Sequence, residues 1–99
     1  MKVLLVCNAG MSTSMLMKKM QKYAEEQNIP LEIAARSVPE VKADVDVDVI
    51  MLGPQVSFQK DAVVKKVGGR VPVGVMQMKD YGRQNCPAIF AQIDELLGK

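Results

Sequence analysis

Cys7 stands at the end of an apolar run, Val3-Leu4-Leu5-Val6, and is followed by Asn8-Ala9-Gly10-Met11-Ser12-Thr13-Ser14, a short Gly/Ser/Thr turn that opens a helix. The start of an α-helix presents roughly four backbone N–H groups without intrahelical partners and about half a positive charge from the aligned peptide dipoles. A phosphate fits that end, and a thiol facing the same donors is shifted toward its thiolate, because donors and dipole favour the anion over the neutral form. One loop therefore offers a nucleophile at Cys7 and a phosphate cradle from Asn8, Ala9, Gly10, Met11, Ser12, Thr13 and Ser14. Gly10 suits both a tight turn and close approach to an anion. The hydroxyls of Ser12, Thr13 and Ser14 are helix caps that can also donate to phosphate oxygens.

Other reactive groups carry less. The sequence has no histidine, which excludes Ser-His-Asp and Cys-His sites and an internal phosphohistidine. Cys86 precedes Pro87 at the start of a second helix without a glycine-rich turn, so its simplest use is structural. The alternation Asp44, Asp46, Asp48 reads as the solvated side of a segment entering a strand, and no metal site is expected there. The eight methionines read mostly as core filler, with Met11 beside the thiol as part of an adaptable docking surface.

The elements that position Cys7 follow from periodicity. Residues 2–7 form a strand covered on both faces, and after the caps Leu16, Met20, Tyr23, Ala24 and Gln27 fall on one helical face ending near Pro30. Residues 31–36 alternate as a strand near a sheet edge, and Ser37-Val38-Pro39-Glu40 is a capping box for a short helix to about Ala43. Residues 47–52 are a third, buried strand ending at Gly53-Pro54-Gln55, which starts a helix through Val56, Ala62, Val63 and Val67 stopped by Gly68-Gly69. Residues 71–76 are a fourth strand with Pro72 early in it, residues 77–85 a polar loop, and a last helix from Pro87 buries Ile89, Phe90, Ile93, Leu96 and Leu97 before Gly98.

This alternation predicts an α/β fold: a single domain with a four-stranded parallel sheet of order 2-1-3-4 and helices on both faces. In that order the topological switch lies between the first and third strands, so Cys7 and Gly53-Pro54-Gln55 end on one rim. Asp80-Tyr81-Gly82 follows the fourth strand on the same edge, where a tyrosine can border the cradle or pack on a partner.

Ninety-nine residues suffice for one core without disulfides. A net charge of +2 with scattered lysines argues against a nucleic-acid surface. Two cysteines and a strand-like N-terminus point to the cytosol rather than secretion. No apolar run approaches the roughly 20 residues that cross a bilayer, so a membrane role is expected to come through a partner.

Cys7 to Ser14, Leu52-Gly53-Pro54-Gln55-Val56 and Tyr81-Gly82 together resemble the enzyme IIB component of the bacterial sugar phosphotransferase system (PTS), lactose/cellobiose type, across residues 1–99. The cellobiose/chitobiose/lichenan branch is the most similar. The resemblance implies a phosphocysteine at Cys7, loaded from a phosphohistidine on enzyme IIA and passed to a β-linked disaccharide held by the membrane transporter IIC, with no cofactor. It also implies that Met11, Gly53, Pro54, Gln55 and Tyr81 meet the partner proteins.

The loop is similar as well to that of low-molecular-weight tyrosine phosphatases, in which a cysteine, five residues and an arginine surround phosphate. Thr13 stands at the arginine position, and no aspartate directly precedes a proline as general acid. Loss of bidentate contacts and of the acid weakens hydrolysis, which suits a relay. The alternatives from this reading are a phosphatase-like or arsenate-reducing thiol enzyme and a regulatory IIB-like module.

Overall fold

The computed structural model describes residues 1–7 and 10–98, with residues 10–13 described through their backbone alone. Strand β1 (Lys2–Val6) is followed by helix α1 (Gly10–Glu26) and then by β2 (Glu32–Arg36). A 3-10 turn (Val38–Glu40) and an extended connection then reach β3 (Val49–Leu52). Beyond it come a 3-10 segment (Pro54–Gln59), α2 (Lys60–Lys66), β4 (Val73–Val75), α3 (Met78–Arg83) and α4 (Cys86–Leu96). The four strands are parallel in the order β2-β1-β3-β4, as the alternating pattern requires.

Strand periodicity divides the interior into two cores. Val3 and Leu5 of β1 and Val49 and Met51 of β3 face Leu16, Met20 and Ala24 of α1 and Ile89, Phe90 and Ile93 of α4. The intervening Leu4, Val6, Ile50 and Leu52 face Val56, Val63 and Val67 on the opposite side, together with Val38 and Val41. Because β1 and β3 are buried on both faces, they read as unbroken apolar runs. β2 is half-buried at the edge, with Glu32 and Arg36 exposed.

Several boundaries depart from the sequence reading. Helix α1 begins at Gly10, so Ser12, Thr13 and Ser14 lie within its first turns instead of capping it. The expected helix after Gly53 is a 3-10 segment followed by α2, with a kink at Val56 (φ −116°, ψ 19°), whose side chain is buried in the second core. Val38–Glu40 is a single 3-10 turn, not a helix to Ala43. Glu40 nonetheless plays its capping part, its carboxylate accepting from the Ser37 N–H and hydroxyl at 2.8 Å each, which holds its pKa below the usual value. The fourth strand shortens to residues 73–75, although the Pro72 carbonyl still accepts from Ile50 N–H.

Residues 77–85 are not a polar loop but contain α3, which buries none of its side chains and ends with Gln84 in the left-handed region (φ 52°). A helix without a buried stripe leaves no apolar periodicity to read. The alternating aspartates work at the other end of the sheet. Asp48 accepts from the Lys2 N–H at 2.8 Å and Asp46 pairs with the Lys2 ammonium at 3.2 Å, fixing the strand entry.

Candidate functional site

Cys7 is held by its own backbone at the C-terminal edge of the sheet. Its N–H donates to the Arg36 carbonyl at 3.1 Å, extending the β1–β2 ladder one residue past β1. Gly53 does the same for β3, donating to the Val6 carbonyl at 2.8 Å. The two strand ends at the topological switch are thus locked side by side. A Cβ placed on Gly53 would lie 3.7 Å from Cys7 Cβ, 3.7 Å from Tyr81 Cε1 and 2.7 Å from Gln55 Oε1. Cys7, Gln55 and Tyr81 therefore converge on Gly53, and a side chain at position 53 would displace the Gln55 amide.

Each of these neighbours arrives by a different route. Gln55 is exposed on the turn that Pro54 begins, a proline position that costs no hydrogen bond because a first-turn N–H has no helical acceptor. Tyr81 is half-buried on α3, not on a loop, and its N–H donates to the Gln77 carbonyl at 2.9 Å. The sequence reading placed it on the correct edge without recognising the element that fixes it.

Helix α1 starts three positions after Cys7 and runs for 17 residues with no acidic side chain in its first turn. The first N–H groups of such a helix have no intrahelical acceptor, and its positive dipole end carries no acidic residue of its own to offset it. Of the expected cradle, Asn8 and Ala9 lie outside the described residues, as do the side chains of Gly10, Met11, Ser12 and Thr13. Ser14 is exposed on α1. Cys7 itself is only 6 % exposed, so it is recessed beneath the rim and a reacting group must reach down to it.

The second cysteine has a different setting. Cys86 is buried in the core of α1 and α4, where Asn85 caps α4 by accepting from Ala88 N–H. Burial pushes its thiol above the ordinary value, and nearby Lys19 pulls weakly the other way. No disulfide joins it to Cys7. Iodoacetamide at pH 8 is accordingly expected to alkylate Cys86 in the folded protein about tenfold or more slowly than in urea, as followed by peptide mapping. Equal rates would place the thiol in solvent.

The sequence reading missed a set of exposed apolar side chains. Met15, Phe58 and Met78 are 62 %, 79 % and 75 % exposed, so Met15 and Met78 are not core filler. Met15 lies in the second turn of α1, Phe58 near the end of the 3-10 segment after β3 and Met78 at the start of α3, on the three connections leaving the C-terminal edge of β1, β3 and β4. Phe58 falls off the Val56, Val63, Val67 stripe, which was the available signal.

A protein-family model described as PTS system, lactose/cellobiose specific IIB subunit, matches residues 2–92. The galactose-specific EIIB component of Lactococcus lactis subsp. cremoris is 41 % identical, covering 96 % of this chain and 94 % of its own. The cellobiose-specific EIIB component of Lactococcus lactis subsp. lactis is 40 % identical with the same coverage. The oligo-beta-mannoside-specific EIIB component of Bacillus subtilis is 35 % identical over 97 % of this chain and 95 % of its own. Among solved structures, the cellobiose-specific phosphotransferase IIB component of Borrelia burgdorferi superposes with a TM-score of 0.78 at 34 % identity, over 99 % of this chain and 92 % of that one. The lactose-specific IIB domain of Streptococcus pneumoniae, at 16 % identity and a TM-score of 0.73 over 95 % of each chain, shares the fold. With its strand order, its edge cysteine and this breadth of similarity, the chain belongs to the lactose/cellobiose-specific IIB family of the phosphotransferase system.

Proposed function

We propose that Cys7 is a phosphoryl carrier between a phosphohistidine of enzyme IIA and a β-linked disaccharide, cellobiose-like, bound to the membrane component IIC. The observation that carries the proposal is the placement of Cys7 at the switch between β1 and β3, three residues ahead of α1 and beside Gly53, Gln55 and Tyr81.

In the first step the Cys7 thiolate attacks phosphorus in line. The S–P bond forms as the N–P bond breaks, and the electron pair returns to the donor imidazole. The equatorial oxygens are assigned to backbone N–H groups between Cys7 and the first turn of α1, with the hydroxyls of Ser12, Thr13 and Ser14 as further donors. In the second step a sugar hydroxyl attacks phosphorus, the S–P bond breaks and the thiolate returns. Thr13 at the position of a phosphatase arginine leaves the cradle less cationic, which suits transfer over hydrolysis.

Docking falls to the rim. Gly53, Gln55 and Tyr81 lie beside Cys7, Met11 and Pro54 are assigned to the same docking rim, and Met15, Phe58 and Met78 supply unburied apolar surface of the kind partner proteins cover. No helix among the described residues is long and apolar enough to cross a membrane. The chain acts from the cytoplasmic side, meeting the bilayer through IIC.

Intact-mass measurement after incubation with phosphorylated IIA tests this reading. The expected product is a chain bearing a single phosphoryl group, mapped to Cys7. A phosphoryl group on any other residue, or none with a competent donor, overturns it.

A further inference from the structure

After β3 the chain crosses the rim beside Cys7 in a closed turn. Gly53 N–H donates to the Val6 carbonyl at 2.8 Å, and Val56 N–H donates to the Gly53 carbonyl at 3.0 Å. Pro54 restricts φ inside the turn, and Val56 is buried in the second core. Gln55 is exposed, but it sits between a ring-locked neighbour and a buried one.

The backbone of Gly53 does not need a glycine. Its φ of −67° and ψ of 153° are open to any residue and lie where a residue ahead of proline belongs. Cys7 Cβ and Tyr81 Cε1 would each meet an added Cβ at 3.7 Å, an ordinary contact. Among the described residues the tight contact is with Gln55 Oε1, at 2.7 Å. Glycine at this position makes room for the Gln55 carboxamide.

The same geometry bounds how far that carboxamide lies from the thiol. Oε1 can be no further from Cys7 Cβ than the 2.7 Å and 3.7 Å contacts laid end to end. A group donating to an oxygen of a phosphoryl group on sulfur stands roughly 6 Å from that Cβ, within the same span. Rotation of the terminal torsion exchanges Oε1 and Nε2, so the pose can present a donor.

We propose that Gln55 is a catalytic residue of the relay, its carboxamide N–H donating to an equatorial oxygen of the phosphoryl group as that group reaches and leaves Cys7. The proposal rests on Cys7 as the phosphoryl carrier and gives Gln55 a part in the chemistry beyond meeting a partner. No proton moves and no bond to Gln55 forms. The S–P bond forms as the N–P bond breaks, and the amide meets charge on the oxygens. With Thr13 at the position of a phosphatase arginine, a neutral donor stabilises that charge without the bidentate ion pair that would keep the group on sulfur.

Single-turnover transfer from phosphorylated IIA, followed from low to saturating donor, separates the chemical step from docking. The saturating rate is expected to fall about tenfold or more in Gln55→Ala, and further in Gln55→Glu, whose charge repels the phosphoryl oxygens. Gly53→Ala keeps Gln55 but pushes its amide aside, and is expected to lose as much as Gln55→Ala. The double variant G53A/Q55A is expected to lose no more than either alone, because both changes remove one interaction. Circular dichroism checks that each variant is folded. Phosphorus NMR of the phosphorylated chains, freed of donor, gives a reading without any partner. With a donor to the dianion removed, the phosphoryl group of Gln55→Ala is expected to take up its proton at higher pH than in the wild type.

A half-saturating donor concentration that rises while the saturating rate and the phosphorus titration keep their wild-type values makes Gln55 a docking residue alone and overturns the proposal. So does a Gly53→Ala chain that transfers at the wild-type rate. A wild type labelled away from Cys7 removes the carrier reading and this proposal with it, whereas labelling at Cys7 with the variants unimpaired removes this proposal alone.

Discussion

Cys7→Ser is expected to reduce phosphoryl acceptance from phosphorylated IIA to background while the chain stays folded. Serine keeps the shape of the side chain but replaces the sulfur nucleophile with a hydroxyl, and a hydroxyl is a weak nucleophile without an adjacent base. No histidine in this chain can act as that base. The structural cost is modest. Cys7 is buried, so an added hydroxyl costs about 1–2 kcal/mol if it finds no good partner, or roughly 5–10 °C in Tm for a domain this size. Its backbone bond to Arg36 is untouched.

Cys86→Ser serves as the companion. It disturbs the α1/α4 core yet is expected to accept phosphoryl normally below its melting range. Full labelling of Cys7→Ser with loss in Cys86→Ser would assign the chemistry to the other thiol. An aryl phosphate, offered without any partner protein, is expected to be left intact by the wild type, and turnover there would favour the phosphatase-like alternative.

How far the sequence disclosed this site depends on what each residue needs from its neighbours. Cys7 and Gly53 were legible because the double-sided burial of β1 and β3 writes apolar runs that stop abruptly at the sheet edge, and the parallel topology forces both ends to one rim. Tyr81 was placed on that rim by chain order alone. Its helix was not visible, because α3 buries no side chain and so carries no periodic signal.

The kink at Val56 escaped for a related reason. The Val56, Val63, Val67 spacing is helical, but the demand that Val56 fill the second core just after Pro54 bends the backbone there. The exposed Phe58 and Met78 could be distinguished from core residues only once the packed faces were known.

Leu5→Ala is expected to produce the largest loss of stability among these changes, about 3–4 kcal/mol, or on the order of 15 °C in Tm. Leu5 is fully buried on the central strand β1, between β2 and β3, and belongs to the cluster formed with Leu16 and Met20 of α1 and Ile89 and Ile93 of α4. Two helices and two flanking strands would have to move to close the space, so little of it can collapse.

Leu4→Ala on the opposite face is expected to cost less. Leu4 borders a groove beside Ala34, Val41 and Val47, where an extended connection takes the place of a packed helix and can settle inward. Thermal melts of the two variants measure the difference directly.

The same pair separates stability from chemistry. Cys7 is positioned by ladder bonds at the ends of β1, β2 and β3, not by Leu5 itself, so phosphoryl acceptance per folded Leu5→Ala chain at low temperature is expected to match the wild type. If acceptance falls in a fully folded Leu5→Ala protein, the packing of α1 on the sheet, rather than the strand ladder, sets the position of Cys7 for the reaction.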